Sequence, residues 1–181
     1  SEIKLPKVFS IINPNRFDEN NNFNYLAAVG VTFLFILALR KYLRKKNFFK
    51  NEKINEPNLQ NLLDLVALGT VCDVVNLKDY NRIFVKEGID IIHKRKNKAI
   101  SIIIDNSKIK HSPTVSELSY IIGPQLNAAS RINDSSLASK ILISENIAEI
   151  DSISRKLIIL NEKRKLIENK IFNEAIEQVY S

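Results

Sequence analysis

The stretch V-A-L-G-T-V-C-D-V-V, Val66 to Val75, sets a single carboxylate, Asp73, among residues that otherwise belong in a protein core. It continues a helical pattern that begins near Leu59, with Asn58 placed to cap its N-terminus. Burying an unpaired carboxylate is expensive. The expectation is therefore that an arginine, a helix N-terminus or a metal ion faces Asp73. On these residues alone, a structural cap or buried ion pair and a metal ligand both meet that requirement. Gly69 permits close backbone approach or a positive φ beside it.

Working outward, Asp79 can cap a helix over Arg82 to Lys94, and Asn97 a short one ending near Asn106. Thr114 and Glu117 have the spacing of a capping box, opening a helix that Gly123-Pro124 interrupts before a second helix runs through Arg131. From Asn146 onward, Ile150, Ile153, Leu157, Leu160, Leu166, Ile167, Ile171 and Ile176 recur at helical spacings with charges between them. That pattern predicts a long amphipathic helix with its apolar stripe against another surface. On the other side of the opening stretch, Lys7 to Ile12 (KVFSII) reads as one buried strand halted by Asn13-Pro14. Tyr25 to Lys45 reads as a core helix with a basic end, RKYLRKK, and Lys46 to Asn58 as a polar linker. The basic end complements the helix dipole and is as a rule solvated rather than a DNA patch.

A second string, G-P-Q-L-N-A-A-S-R-I from Gly123 to Ile132, puts Asn127 and Arg131 four residues apart on one helical face. Such a face suits a phosphate, which a guanidinium grips with two parallel bonds. An Arg131 paired only with Asp134 or Glu117 is the equally open alternative.

Composition narrows the class. A chain of 181 residues with 45% hydrophobic and 26% charged side chains fits one domain or two small lobes and can bury a real core, which excludes a disordered or fibrous protein. Lysine and arginine number 27 against 20 acidic residues, a net charge of +7, which favours a phosphate-bearing partner. The abundance of isoleucine, asparagine and lysine is what A/T-rich codons produce, and it lowers the weight of that count. Cys72 is the only cysteine, so no internal disulfide forms, and no Cys/His array has zinc-ligand spacing. The apolar run Leu26 to Leu39 falls short of the roughly 20 residues needed to cross a bilayer. With no secretory leader visible, the expected setting is the cytoplasm, without membrane partners. There is no methionine, and the sequence closes inside a helical pattern, so a partial chain is expected.

Four blocks in order carry a family resemblance: I-I-N-P-N-R (Ile11 to Arg16), F-x-Y-L-A-A-V-G-V (Phe23 to Val31), L-D-L-V-A-L-G-T-V-C-D-V-V-N-L (Leu63 to Leu77) followed by Asn81-Arg82, and G-P-Q-L-N-A-A-S-R-I. Together they resemble RecJ-type exonucleases of the DHH phosphoesterase superfamily. The resemblance implies an α/β parent fold, of which this segment is mainly α-helical with one short N-terminal strand and a long C-terminal connector helix. Residues 1–145 would be the C-terminal part of the DHH catalytic domain, and 146–181 a connector toward a DHHA1 lobe that the chain lacks.

The activity so implied is a 5′-to-3′ exonuclease of single-stranded DNA that serves repair and recombination with two Mg²⁺ or Mn²⁺ ions. Asp73 matches the family's later metal-binding and catalytic aspartate, Arg131 the position near the substrate phosphate, and Asn127 a weaker neighbour. The family's earlier aspartate motifs and its D-H-H triplet are absent, and His93 and His111 stand in unrelated contexts. Ser130 replaces a usual glycine, Cys72 a usual alanine and Asn76 a frequent proline. One carboxylate cannot hold two metals, so this chain alone is expected to be inactive. The alternatives are a remnant that binds nucleic acid or a partner protein without cleavage, and a DHH-family hydrolase of oligonucleotides or small phosphoesters.

Overall fold

Apolar residues at helical spacing, punctuated by polar caps, fold the chain into helices packed on one another. The computed structural model describes residues 6–16, 18, 22–132 and 135–180, apart from the side chains of Arg131 and Ile132. The helices are α1 (Ala28–Lys45), the single turn α2 (Phe48–Asn51), α3 (Leu63–Cys72), α4 (Asp79–His93), α5 (Lys98–Asn106), α6 (Val115–Glu117), α7 (Gly123–Ile132), α8 (Ser136–Ile143) and α9 (Ile147–Tyr180). A 3-10 turn, Leu59–Leu62, leads into α3, and a π-turn, Leu118–Ile122, joins α6 to α7.

No strand occurs among the described residues. Segment 7–12, expected as a buried strand, is bent, irregular chain whose Val8, Phe9 and Ile12 are exposed. A strand exists only by pairing with a neighbour, and no ladder partner lies among the described residues.

Side-chain caps set three of these starts as the sequence predicts. Asn58 accepts from Gln60 N at 3.1 Å, Asn97 from Ile100 N at 3.2 Å, and Thr114 with Glu117 closes a reciprocal capping box. Asp79 departs from expectation: α4 begins at Asp79 itself, with Lys78 in the cap position and no side-chain cap. Asp79 instead has φ 46° and places its charge in the first turn, where the helix dipole favours it. Gly123-Pro124 does not break the chain into two helices either. Pro124 has no N–H to give, and the wider π-turn before it absorbs the loss, with Gly123 N–H donating to Leu118 O five residues back.

The main core gathers Leu68 and Val71 of α3, Val85 and Ile92 of α4, Ile100, Ile103 and Ile104 of α5, Leu118, Ile122 and Leu126, Ile141 of α8, and Ile150, Ile153, Leu157 and Leu160 of α9. Each such side chain contributes roughly 1.5–3 kcal/mol on burial. A smaller cluster seats α1 through Leu26, Phe33, Leu59, Val66 and Phe84, with the Phe33 and Phe84 rings edge to face at 5.4 Å. The helix α3 serves both clusters, so it is apolar on every side.

The first four turns of α9 are packed, whereas Leu166, Ile167, Ile171, Phe172 and Ile176 in its distal half are exposed. There the helix is supported by Arg164–Glu168, Lys170–Glu174 and Glu162–Lys165 pairs. The basic end of α1 is tied down: Arg40 and Arg44 both reach Glu56, and the Lys46 ammonium lies 5.8 Å from the Tyr42 ring centroid. Among the described residues no helix is long and apolar enough to cross a membrane.

Candidate functional site

Asp73 is not buried. It is the C-cap of α3, exposed, with its N–H on Gly69 O at 3.1 Å. Val74 then takes φ 55° and turns the chain away from the core. The helix ends one residue before the carboxylate would have entered apolar surroundings, so no counter-charge is required. This corrects the expectation of a buried Asp73 facing a positive group.

What Asp73 does face is the N-terminal N-P-N turn. A cleft of about 420 Å³ is lined by Asp73, Asn13, Pro14, Asn15, Ala28 and Thr32, with Ile12, Leu26 and Val31 as its apolar side. The turn is self-supporting: Asn15 N donates to Asn13 Oδ1 at 2.9 Å and Arg16 N to Asn13 O at 3.3 Å. Arg16 also reaches Asp18 and Ile11 O. Beyond the shared wall the surface continues into an apolar hollow of about 430 Å³ that includes Phe23, Leu34 and Phe35.

Asn81 holds this region together and was not singled out by sequence reasoning, although it lies in a quoted block. It is fully buried, and its Nδ2 donates to Tyr25 O at 2.8 Å and to Asn76 O at 3.0 Å. One amide thereby joins the chain entering α1 to the loop that follows Asp73. The signal that could have found it is an asparagine inside the amphipathic α4 at a position otherwise taken by apolar residues.

Next to Asp73, burial pushes the Cys72 thiol up to about 11, with the negative charge of Asp73 adding to the effect. The thiol therefore stays protonated and unreactive at neutral pH. Its sulfur packs on Gly123, where an added Cβ would lie 2.9 Å away. The V-C-D and G-P-Q-L-N strings thus touch at Cys72 and Gly123.

Asn127 is exposed on α7 and does not line the Asp73 cleft. Arg131 belongs to the helical backbone of α7, but its side chain, like residue Asp134, lies outside the described residues. Glu117 is engaged by Thr114 and by His111, 3.3 Å away. His93 sits 3.4 Å from Pro113 O, so the two histidines serve separate local contacts.

Asp64 is the carboxylate that is buried, only 3% exposed in the first turn of α3. Burial raises its pKa, against hydrogen bonds from Leu65 N and the Asn97 side chain.

Among the described residues no group of three or more His, Cys, Asp or Glu side chains gathers to hold a metal. The oxygen chemistry of Asp73, Asn13 and Asn15 suits a hard divalent cation, but the donor set is too small for the pair of metals that the resemblance implies.

No protein-family model matches the chain. Individual proteins do. The chain is 41% identical over 174 residues to the single-stranded-DNA-specific exonuclease RecJ of Escherichia coli (strain K12), covering 95% of this chain and 30% of that protein. It is 40% identical over 174 residues to the enzyme of the same name from Salmonella typhimurium, with the same coverage. Solved structures agree: RecJ from Thermus thermophilus in complex with Mn²⁺ superimposes with a TM-score of 0.62 at 26% identity, over 72% of this chain and 19% of that one. Its Mg²⁺ complex gives a TM-score of 0.60 at 26% identity, over 70% of this chain and 20% of that one. The chain spans about 30% of the length of the curated relatives it matches.

Proposed function

This chain belongs to the RecJ family, and on that premise we propose that it supplies one wall, and one carboxylate, of a metal-dependent exonuclease acting on single-stranded DNA from the 5′ end. The observation that carries the reading is the placement of Asp73: an exposed carboxylate at the end of a core helix, opening onto a cleft shared with Asn13 and Asn15. A side chain there contributes little to folding and is free to take a ligand.

In this reading Asp73 is the metal ligand. Arg131, with Asn127 beside it, binds a backbone phosphate of the DNA. The rest of an α/β phosphoesterase supplies the remaining ligands for Mg²⁺ or Mn²⁺, whose chemistry when bound is to generate the attacking hydroxide and neutralise the scissile phosphate. Residues 1–145 form part of the catalytic domain, and the helix from 146 connects it to a further lobe. Asn81 positions the cleft by tying the entry of α1 to the loop behind Asp73. DNA repair and recombination in the cytoplasm is the setting that suits such an activity.

The chain by itself is expected to leave a 5′-phosphorylated single strand intact in Mg²⁺ or Mn²⁺. Robust degradation would show that the outside ligands are not needed. The positive test places this segment in the homologous position of the E. coli relative. A folded chimera, checked by circular dichroism, should degrade single strands, and Asp73→Ala should abolish cleavage at equal protein level. Undiminished turnover by that variant would remove Asp73 from the site.

The absence of a carboxylate cluster among the described residues favours one second reading, a non-catalytic nucleic-acid binder. A correctly folded chimera that binds single strands and never cleaves them would decide for it.

A further inference from the structure

A separate cavity, of about 260 Å³, lies where the C-terminal end of α5, the π-turn, α7 and α9 meet, and among the described residues it shares no lining with the Asp73 cleft. Its floor is polar where the neighbouring positions of the core are apolar. Gln125 is 6% exposed and Asn161 5%, while Leu157, Ile153 and Ile150 fill the equivalent face of α9 one, two and three turns earlier. Amides in such positions are unfavourable unless their polar atoms are engaged.

Only half of each amide is. Ser107 Oγ, which also directs its one proton to Ile103 O at 2.7 Å, lies 3.1 Å from Gln125 Oε1, and Arg164 Nε donates to Asn161 Oδ1 at 3.1 Å. Neither NH₂ group has a protein acceptor among the described residues, and neither is sealed from solvent. Two buried side chains thus line one cavity with donors to spare.

The rim adds charge and a ring. Lys108, Lys165 and Glu162 line the cavity. Lys165 is 3.0 Å from Glu162, whereas Lys108 has no carboxylate within ion-pair distance among the described residues. Lys108 also stands at φ 61°, just past the end of α5. Tyr120 lies on the π-turn with 79% of its surface exposed. Single π-turns inside helices are rare and recur at functional sites.

Spare amide donors, the Lys108 ammonium and an exposed aromatic face match the parts of one nucleotide. Lys108 and the amides suit the phosphate and the acceptor edge of a base, and Tyr120 offers a stacking surface. The volume sits just under the roughly 300 Å³ at which small-molecule sites begin, which suits a single unit rather than a longer ligand. We propose that this cavity binds one nucleotide, either a free 5′-mononucleotide or one residue of a single strand. The proposal does not depend on Asp73 being a metal ligand.

The test is calorimetric titration of the purified chain with thymidine 5′-monophosphate and, separately, with a short oligothymidylate. Amide NMR shifts at Tyr120, Gln125 and Asn161 would place the ligand. Saturable binding is expected, weakened about tenfold by Tyr120→Ala and by Lys108→Ala. Both side chains are exposed, and circular dichroism verifies that the variants fold. The titrations are run without Mg²⁺ or Mn²⁺, which separates failure here from failure of the metal-dependent exonuclease reading. Saturation by the mononucleotide alone, or by the strand alone, identifies the source, and both results support the site. No saturable binding of either ligand, or affinity indifferent to both substitutions, overturns it. Inorganic phosphate competing as well as the nucleotide does, with Tyr120→Ala silent, overturns the nucleotide assignment.

Discussion

Gly123 stands directly against Cys72: a Cβ at position 123 would come within 2.9 Å of the Cys72 sulfur and 3.6 Å of its Cα. The end of α3, which presents Asp73, and the start of α7, which carries Asn127, approach this closely because one of them has no side chain. Overpacking of this kind costs roughly 1–3 kcal/mol, set against about 1 kcal/mol that alanine gains over glycine within a helix. Gly123→Ala is expected to lose stability on balance, and Cys72→Ala in the same chain should restore most of it by removing the sulfur. Urea unfolding of the four proteins in a double-mutant cycle measures the coupling. Additive effects would show that the sulfur contact is not the cause.

Gly88 is less forgiving. A Cβ there would lie 2.1 Å from Leu63 O and 2.4 Å from Ala67 Cβ. A backbone oxygen inside a helix cannot step aside as a flexible side chain does, so α4 would have to move off α3. Gly88→Ala is expected to lose more than about 3 kcal/mol, at or beyond the upper end of overpacking penalties, despite alanine's better helix propensity. A thermal melt within a few degrees of the parent would contradict the close α3/α4 approach.

These two glycines show what sequence made legible and what it did not. The caps at Asn58, Asn97 and Thr114 and the packed stripe Ile150, Ile153, Leu157 and Leu160 follow from local rules, and the structure bears them out. Segment 7–12 has the composition of a strand, but pairing is a property of two segments, and one segment does not reveal its partner. Asp73 reads as buried in the sequence because apolar neighbours on both sides suggest a core. A C-cap followed by a positive φ at Val74 lifts it out, and valine gives no hint of that conformation. The cleft that Asp73 shares with Asn13 and Asn15 brings together residues some 60 positions apart and becomes visible only in three dimensions.

Asn81 offers a sharper test of how the cleft is held. Its two donated bonds satisfy carbonyls of Tyr25 and Asn76, while its own Oδ1 has no partner among the described residues. Asn81→Asp keeps the shape, removes both donors and introduces a buried negative charge beside two carbonyl oxygens. A loss of about 3 kcal/mol or more is expected, with hydrogen exchange accelerating first around Tyr25 and Asn76. Asn81→Ala should be milder, at about 2 kcal/mol. Equal and small effects from both would mean that the loops are held by other contacts.

Asp73→Ala should leave the fold intact or slightly firmer. The side chain makes no hydrogen bond or ion pair among the described residues, and a negative charge at a helix C-terminus opposes the dipole. The expected change is within about 0.5 kcal/mol and not in the destabilising direction. Denaturation midpoints for parent and variant check it, and a loss above about 1 kcal/mol would assign Asp73 a structural role.

Asp64 sets the pH dependence expected of the core. Its folded pKa is raised, chiefly by burial, above an ordinary value near 3.8. Between the unfolded and folded values the native chain holds a proton that the unfolded chain has released. Stability therefore falls as pH rises through that window, and the contribution is fully present only below the unfolded value. Asp64→Asn abolishes the titration and keeps an oxygen for the bond that Leu65 N makes to Oδ1 at 2.6 Å. The amide has no charge to bury at neutral pH. The variant is thus expected to match or exceed the parent at pH 7 and to lose that advantage as pH is lowered toward 4. Urea midpoints collected across this range give the difference curve directly. A parent that gains stability relative to Asp64→Asn on going from pH 4 to pH 7 would reverse the sign and place Asp64 among carboxylates stabilised in their charged form.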